Sequence, residues 1–251
     1  MILDMDGVLW RADQPIGNLN TIFNEIEGRG IKVVLATNNA TLTVDQYLDK
    51  LRRFDVTLAA WQIVNSAIAV VKHLLHQYPN GGPVYVIGET GILNALSEHG
   101  FYPGDKNVLA VIVSMDRNLT YEKLRIASMF IQSGVQFIGT NPDRTYPTPY
   151  GLVPGTGSIL AALEAATNVK PVIVGKPSTE MYSIALDRMG VTSSETMVVG
   201  DRLETDIAGA QELGCQTALV LSGVSNEEDA NRWEPPPDYI ANNLANLLEI
   251  L

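Results

Sequence analysis

The chain has 251 residues, 46% of them hydrophobic and 18% charged, enough apolar material for one large domain or a core with an inserted module and too much for global disorder. Its 17 basic and 28 acidic side chains leave a net charge of −11, which repels phosphate backbones and anionic lipid and excludes nucleic acid and membrane surfaces as non-specific partners. Apolar runs such as Val108–Val113 are far shorter than the ~18 residues of a membrane span, the acidic opening Met-Ile-Leu-Asp-Met-Asp does not read as a secretory signal, and the single cysteine, Cys215, points to a reducing, cytoplasmic setting.

In chain order, a short strand ends on Asp4-Met5-Asp6-Gly7-Val8-Leu9, and Ile31–Ala36 leads into Thr37-Asn38-Asn39. Thr43-Val44-Asp45-Gln46 has the form of a capping box and opens a helix to Phe54. Residues 61–80 read as one long helix, ending in the turn Tyr78-Pro79-Asn80-Gly81-Gly82-Pro83. Val84–Ile87, Ala110–Val113 and Phe137–Ile138 follow, each closed by a glycine or polar turn. Val172–Val174 precedes Gly175-Lys176-Pro177, and Ser178 is expected to cap a helix over 179–189 that stops at Gly190. Met197–Val199 precedes Gly200-Asp201, and Thr205 or Asp206 is expected to cap a helix over 207–213. Thr217–Leu221 leads into Ser222-Gly223, and a last strand and helix follow the loop Trp233-Glu234-Pro235-Pro236-Pro237-Asp238.

The short runs are β-branched and lack polar alternation, as parallel strands buried on both faces do. Alternating with helical stretches, they predict an α/β fold with a parallel sheet. Acid-rich turns sit near both ends of the chain, whereas residues 91–168 hold no comparable cluster. A smaller module is therefore expected at 64–168, inserted into a core built from 1–63 and 169–251.

Four strand ends carry the chemistry, and in open α/β sheets ligands bind at such ends. Each alone has an ordinary reading: an Asx-turn for Asp4-Met5-Asp6-Gly7, a turn for Thr37-Asn38-Asn39, a surface lysine for Lys176 and a helix cap for Gly200–Asp206. Together, in this order, they fit phosphoryl transfer, in which a protein mainly positions the group and offsets charge on its oxygens. Asp4 can attack phosphorus as a carboxylate nucleophile. Asp4 and Asp201 are hard oxygen ligands suited to Mg²⁺. Lys176 can neutralise nucleophile and phosphoryl group, while Thr37 and Asn38 hydrogen-bond phosphoryl oxygens. Asp6 would protonate the leaving oxygen and then take a proton from water, with Asp206 orienting the metal shell from behind.

The segments Asp4-Met5-Asp6-Gly7-Val8-Leu9-Trp10, Ala36-Thr37-Asn38-Asn39, Val174-Gly175-Lys176-Pro177-Ser178 and Val199-Gly200-Asp201-Arg202-Leu203-Glu204-Thr205-Asp206 resemble the motifs of haloacid dehalogenase-type phosphatases. Thr140-Asn141-Pro142-Asp143, Pro154-Gly155-Thr156-Gly157-Ser158 and Leu221-Ser222-Gly223-Val224 are similar to the NagD-like / 4-nitrophenylphosphatase branch. The resemblance spans nearly the whole chain. It implies a Rossmann-like core, a mobile α/β cap domain inserted between the second and third motifs, Mg²⁺ dependence and hydrolysis of small phosphomonoesters. It also implies a metal held by the Asp4 carboxylate, the Asp6 backbone carbonyl and Asp201. Only three residues precede Asp4, so the first strand is expected to be short and the sheet's edge weakened.

Substrate choice is expected in the cap, where residues 141–151 form a loop rich in Pro, Tyr, Arg and Thr. There Arg144 could meet an anionic tail and Tyr146 a ring or hydroxyl, with Asn39 beside Thr37 and Asn38 in the phosphate-binding set. A homodimer through the cap is a further expectation. Gly155-Thr156-Gly157 is no dinucleotide fingerprint, since Leu160 holds the third glycine position, and His73 with His76 reads as a solvated face. Two competing functions stay open on sequence alone: a phospho-signalling or phosphate-binding module, and phosphotransfer to a sugar acceptor. Against the first, Asp6 gives an aspartyl-phosphate a built-in hydrolysis base, which a persistent signal would avoid.

Overall fold

The short apolar runs become strands that pair in parallel with others of the same kind. In a computed structural model, which describes residues 1–148 and 151–251, contacts divide the chain into two compact units. One comprises residues 1–37, 44–64 and 176–251, the other 38–43 and 65–175.

The first unit is built on a six-stranded sheet in the order Tyr239–Ala241, Gln216–Val220, Met197–Gly200, Ile2–Leu3, Val34–Thr37, Ile63–Asn65. Ile2 pairs in parallel with Val198 on one side and Val34 on the other. The first strand has only two residues, as expected, but it lies at the centre of the sheet rather than at an edge. Ile2, Leu3, Leu35 and Val199 are fully buried, and at ~2 kcal/mol per buried aliphatic side chain this central layer anchors the unit. The helix Leu19–Gly28 buries Leu19, Ile22 and Ile26, and the Asn18 side chain caps it by accepting from Thr21 N–H. The helix Glu180–Met189 buries Met181, Tyr182, Ile184 and Ala185 and ends on Gly190 in the left-handed region.

The second unit holds a five-stranded sheet in the order Val172–Ile173, Gln136–Gly139, Ala110–Val113, Gly82–Ile87, Phe101–Pro103, every pairing parallel. Helices Tyr121–Gln132 and Thr156–Thr167 pack Ala127, Ile131, Ile159 and Leu163 against Val111, Val113 and Phe137.

Several local expectations are corrected. Residues 61–80 are not one helix: Ile63–Asn65 is a strand, and Asn65 then caps the helix Ser66–Gln77 by accepting from Ile68 N–H. Val172–Ile173 does not join the first unit's sheet but forms the edge of the second, with Val172 44% exposed. Thr179, not Ser178, occupies the N-cap of Glu180–Met189, and no side chain bonds there. Residues 203–207 form a π-helical turn running into Ala208–Leu213, so neither Thr205 nor Asp206 caps it. The stretch 141–151 is not all loop, since Thr145–Thr148 pairs antiparallel with Gly151–Pro154; Pro149 and Tyr150 lie outside the described residues. Among the described residues no helix is long and apolar enough to cross a membrane.

Candidate active site

Leu3 lies opposite Val199 and Leu35, so the next residue on each strand, Asp4, Gly200 and Ala36, reaches the carboxyl end of the sheet at one level. The Asp4 N–H continues the ladder to Val199 O at 2.9 Å. Lys176, 2% exposed, brings its ammonium to 2.5 Å from Asp4 Oδ1 and 2.6 Å from Asp206 Oδ1, and donates to Ala36 O at 2.9 Å. Asp206 is in turn fixed by its other oxygen, which accepts from the N–H groups of Asp201 (3.1 Å) and Arg202 (3.0 Å). This is the use the chain makes of Asp206 in place of a helix cap.

Asp201 Oδ2 accepts from Val224 N–H at 2.8 Å, and Ser225 N–H donates to Asp201 O at 3.0 Å. Ser222 Oγ donates to Gly7 O at 2.6 Å, tying the two loops together. Oxygens of Asp4, Asp201 and Asp206 lie within 4.8 Å of one another. Three buried carboxylates thus face one ammonium, an imbalance a low-dielectric interior tolerates poorly. Burial pushes the Asp4 carboxyl well above the usual carboxylate range; Lys176 opposes this, and Asp206 and Asp201 add to it. Burial, then the charge of Asp206, pushes Asp201 up to about 7. Burial would depress the Lys176 ammonium, but Asp206 and Asp4 outweigh it and hold it well above the ordinary value. An all-oxygen donor set with surplus negative charge fits a hard divalent cation.

Two glycines keep this cradle open. A Cβ on Gly7, whose φ is +88°, would lie 2.4 Å from Asp201 Oδ2, and one on Gly223 would lie 1.8 Å from the same atom. Gly223→Ala is therefore expected to displace the Asp201 carboxylate and lower metal-dependent turnover by ~100-fold or more. A metal titration followed by activity would check this, and near-normal activity at saturating metal would contradict it.

Asp6 is half-buried and accepts from the Trp10 indole N–H at 3.0 Å. Thr37, 2% exposed, closes the strand Val34–Thr37. Asn38 and Asn39 belong to the second unit. The Asn38 carbonyl accepts from Ser66 Oγ (2.6 Å) and Asn141 Nδ2 (2.8 Å), and its amide donates to Asp143 Oδ2 at 3.3 Å. Asn39 Oδ1 accepts from Thr41 N–H and Oγ1. Arg144 is exposed and Tyr146 half-buried on the hairpin of the second unit. One unit thus gathers Asp4, Asp6, Lys176, Asp201 and Asp206, with Thr37 at the end of its neighbouring strand, while Asn38, Asn39, Arg144 and Tyr146 lie in the other. Sequence reading assigned no role to Tyr182, whose hydroxyl donates to the carbonyls of Asp206 (2.9 Å) and Thr205 (3.2 Å), nor to Ser225. The signal available for the Ser222–Ser225 loop was the Ser222-Gly223 turn that closes the apolar run Thr217–Leu221.

Residues 1–102 match the haloacid dehalogenase-like hydrolase family, and residues 173–247 match the HAD-hydrolase-like family. The 5'-nucleotidase YutF of Bacillus subtilis is 36% identical over 243 residues, 97% of this chain and 94% of that protein. The chain belongs to the haloacid dehalogenase-like hydrolases. Among solved structures, the p-nitrophenyl phosphatase from Archaeoglobus fulgidus matches this hydrolase with a TM-score of 0.92 at 31% identity, covering 100% of this chain and 98% of the other. The glycerol phosphate phosphatase from Mycobacterium tuberculosis, in complex with magnesium, matches with a TM-score of 0.91 at 31% identity over 98% of this chain and 75% of the other. The chain is thus a phosphoric monoester hydrolase of the haloacid dehalogenase-like family, whose phosphatases use a divalent metal, and the α/β fold expected from sequence is the one it has.

Proposed function

We propose that this hydrolase cleaves small phosphomonoesters through an aspartyl-phosphate on Asp4. The observation that carries the reading is the Lys176 ammonium bridging Asp4 Oδ1 and Asp206 Oδ1 at 2.5 and 2.6 Å, which holds a buried carboxylate in place as a nucleophile and offsets its charge. In the first step a phosphorus bond to Asp4 forms and the bond to the leaving oxygen breaks, with the Asp6 proton passing to that oxygen. In the second, water oxygen bonds to phosphorus, the Asp4 bond breaks with its electron pair returning to the carboxylate, and a water proton passes to Asp6. Thr37 and the Asn38 amide hydrogen-bond phosphoryl oxygens, and Asp206 acts by orienting Lys176 and the Asp201 loop.

The cation is Mg²⁺ in this reading, and the carboxylates of Asp4 and Asp201 with the Asp6 carbonyl would hold it. When bound, it neutralises charge on the phosphoryl oxygens. Substrate choice is assigned to the second unit as a cap, with Arg144 and Tyr146 on its hairpin. Nucleoside monophosphates, sugar phosphates and glycerol phosphate, the substrates named for similar proteins, are the natural candidates, together with phosphoglycolate. 4-Nitrophenyl phosphate would serve in vitro. The lone, buried Cys215 supports a reducing, cytoplasmic site of action.

Release of inorganic phosphate from these esters, with Mg²⁺ and with EDTA, tests the reading. Phosphate release that EDTA abolishes and Mg²⁺ restores is expected, and folded, Mg²⁺-loaded protein inert on every ester would reject it. A second expectation is thermal. A ligand at 100 times its Kd adds about 2.7 kcal/mol to the folded state, so saturating Mg²⁺ should raise the melting temperature by about 5 °C or more over EDTA. An unchanged melting temperature would argue against a built metal site.

A further inference from the structure

We propose that Trp10 is a positioning residue for Asp6, its indole N–H holding the carboxyl in the one orientation from which it exchanges protons with the leaving oxygen and with water. The inference rests on the assignment of Asp6 as acid and base, and goes beyond it.

Trp10 is 1% exposed, and a buried indole N–H needs an acceptor. It takes Asp6 Oδ1, at 3.0 Å and four residues away. The donor is rigidly held. Gly7 N–H donates to Trp10 O at 2.8 Å, and Trp10 N–H reaches Met5 O at 3.3 Å, so the turn through Gly7 brings residue 10 back beside residue 6. The Lys50 ammonium sits 4.3 Å over the indole ring and is itself fixed by donating to Ala12 O at 2.7 Å. The Phe54 ring packs at 6.2 Å between centroids. All these residues belong to one unit.

An ionised carboxylate accepts at both oxygens, whereas in a protonated one the carbonyl oxygen is the stronger acceptor and the other oxygen carries the O–H donor. With Oδ1 taken by the indole, the transferable proton belongs on Oδ2. Proton transfer needs heavy atoms within ≈ 2.6–3.2 Å, so the direction in which the Asp6 carboxyl is held decides whether it reaches the leaving oxygen. The Trp10 hydrogen bond fixes that direction at Oδ1, and an indole N–H can donate to the carboxyl in either protonation state.

The test uses leaving-group dependence. An alkyl alcohol must be protonated as it departs, whereas 4-nitrophenolate leaves unaided, so kcat/KM for the two ester types separates acid positioning from general damage. Trp10→Phe, which keeps the aromatic packing, is expected to lower kcat/KM about 10- to 100-fold for glycerol phosphate, within the range general acid catalysis contributes. For 4-nitrophenyl phosphate it should stay within about 2-fold. Asp6→Asn should show the same selectivity more strongly. Selective loss in Asp6→Asn with equal losses, or none, in Trp10→Phe overturns the role of Trp10. No selectivity in Asp6→Asn overturns the acid assignment itself, and the inference with it. A spectroscopic readout covers a Trp10→Phe protein that does not fold. The chain has 3 tryptophans, and the Trp10 indole N–H proton resonance can be assigned by elimination with Trp61→Phe and Trp233→Phe. It must move on Asp6→Asn, and a resonance that stays in place refutes the hydrogen bond.

Discussion

Asp4→Asn is expected to lower kcat by about 10⁴-fold or more on every phosphomonoester while leaving the protein folded. An amide oxygen is a poor nucleophile toward phosphorus, and losing the group that forms the covalent bond removes most of the acceleration, what remains coming from positioning. Stability should hold for a separate reason. Lys176 retains Asp206 Oδ1 and the Ala36 carbonyl as partners, so its ammonium is not orphaned. Burial, with Asp206 and Asp201 nearby, already disfavours charge on Asp4, and a neutral isostere relieves that repulsion. Turnover with saturating Mg²⁺ and a melting curve check both halves. Activity within tenfold of the parent chain would reject the covalent route; lost activity with lost folding would reject the argument about Lys176.

Much of this site was legible because the chemistry crowds onto strand ends, and strands buried on both faces advertise themselves. Ile2–Leu3, Val34–Thr37 and Met197–Gly200 read correctly, and with them the placement of Asp4, Thr37 and Asp201. The same signal misled at Val172–Ile173: a β-branched run announces a strand but not which sheet it joins, and this one pairs with Gln136–Gly139 at an exposed edge. Ile63–Asn65 was hidden inside an apolar stretch that continues into a real helix, since a three-residue strand is too short to break helical periodicity. Asp206 illustrates a different limit. An acid ahead of a helix normally caps it, yet here its side chain turns back to Asp201 N–H, Arg202 N–H and Lys176, partners 5, 4 and 30 residues away in the chain that no local rule connects. Tyr182 and, beyond its place in the first motif, Trp10 were given no role because a tryptophan or tyrosine in an apolar neighbourhood reads as packing. Only the geometry reveals that each also satisfies its polar tip on a site residue.

Lys176→Met is expected to cost about 3–5 kcal/mol of stability in EDTA, the penalty for removing one partner of a buried ion pair. That is a large share of the 5–15 kcal/mol that holds a typical protein together. The methionine fills similar volume, so the loss is electrostatic: the buried carboxylates of Asp4 and Asp206 lose the ammonium that stands 2.5 and 2.6 Å from their oxygens, with buried Asp201 beside them. Two further measurements separate this from a packing defect. Burial holds the Asp4 carboxyl well above its unfolded value and the Asp201 carboxyl at about 7. A carboxyl raised by folding stabilises the folded state below its unfolded value, and that contribution is lost as pH rises through the folded value. Metal-free Lys176→Met should therefore be more stable at pH 5 than at pH 8, by a wider margin than the parent chain. Adding Asp206→Asn should recover part of the loss, because an amide still accepts from the Asp201 and Arg202 N–H groups while one buried charge disappears. The double variant should remain inactive, since nothing then neutralises Asp4 and the incoming phosphoryl group. If Asp206→Asn gave no recovery and pH made no difference, Lys176 would be acting by shape alone, and the charge balance argued for this site would be wrong.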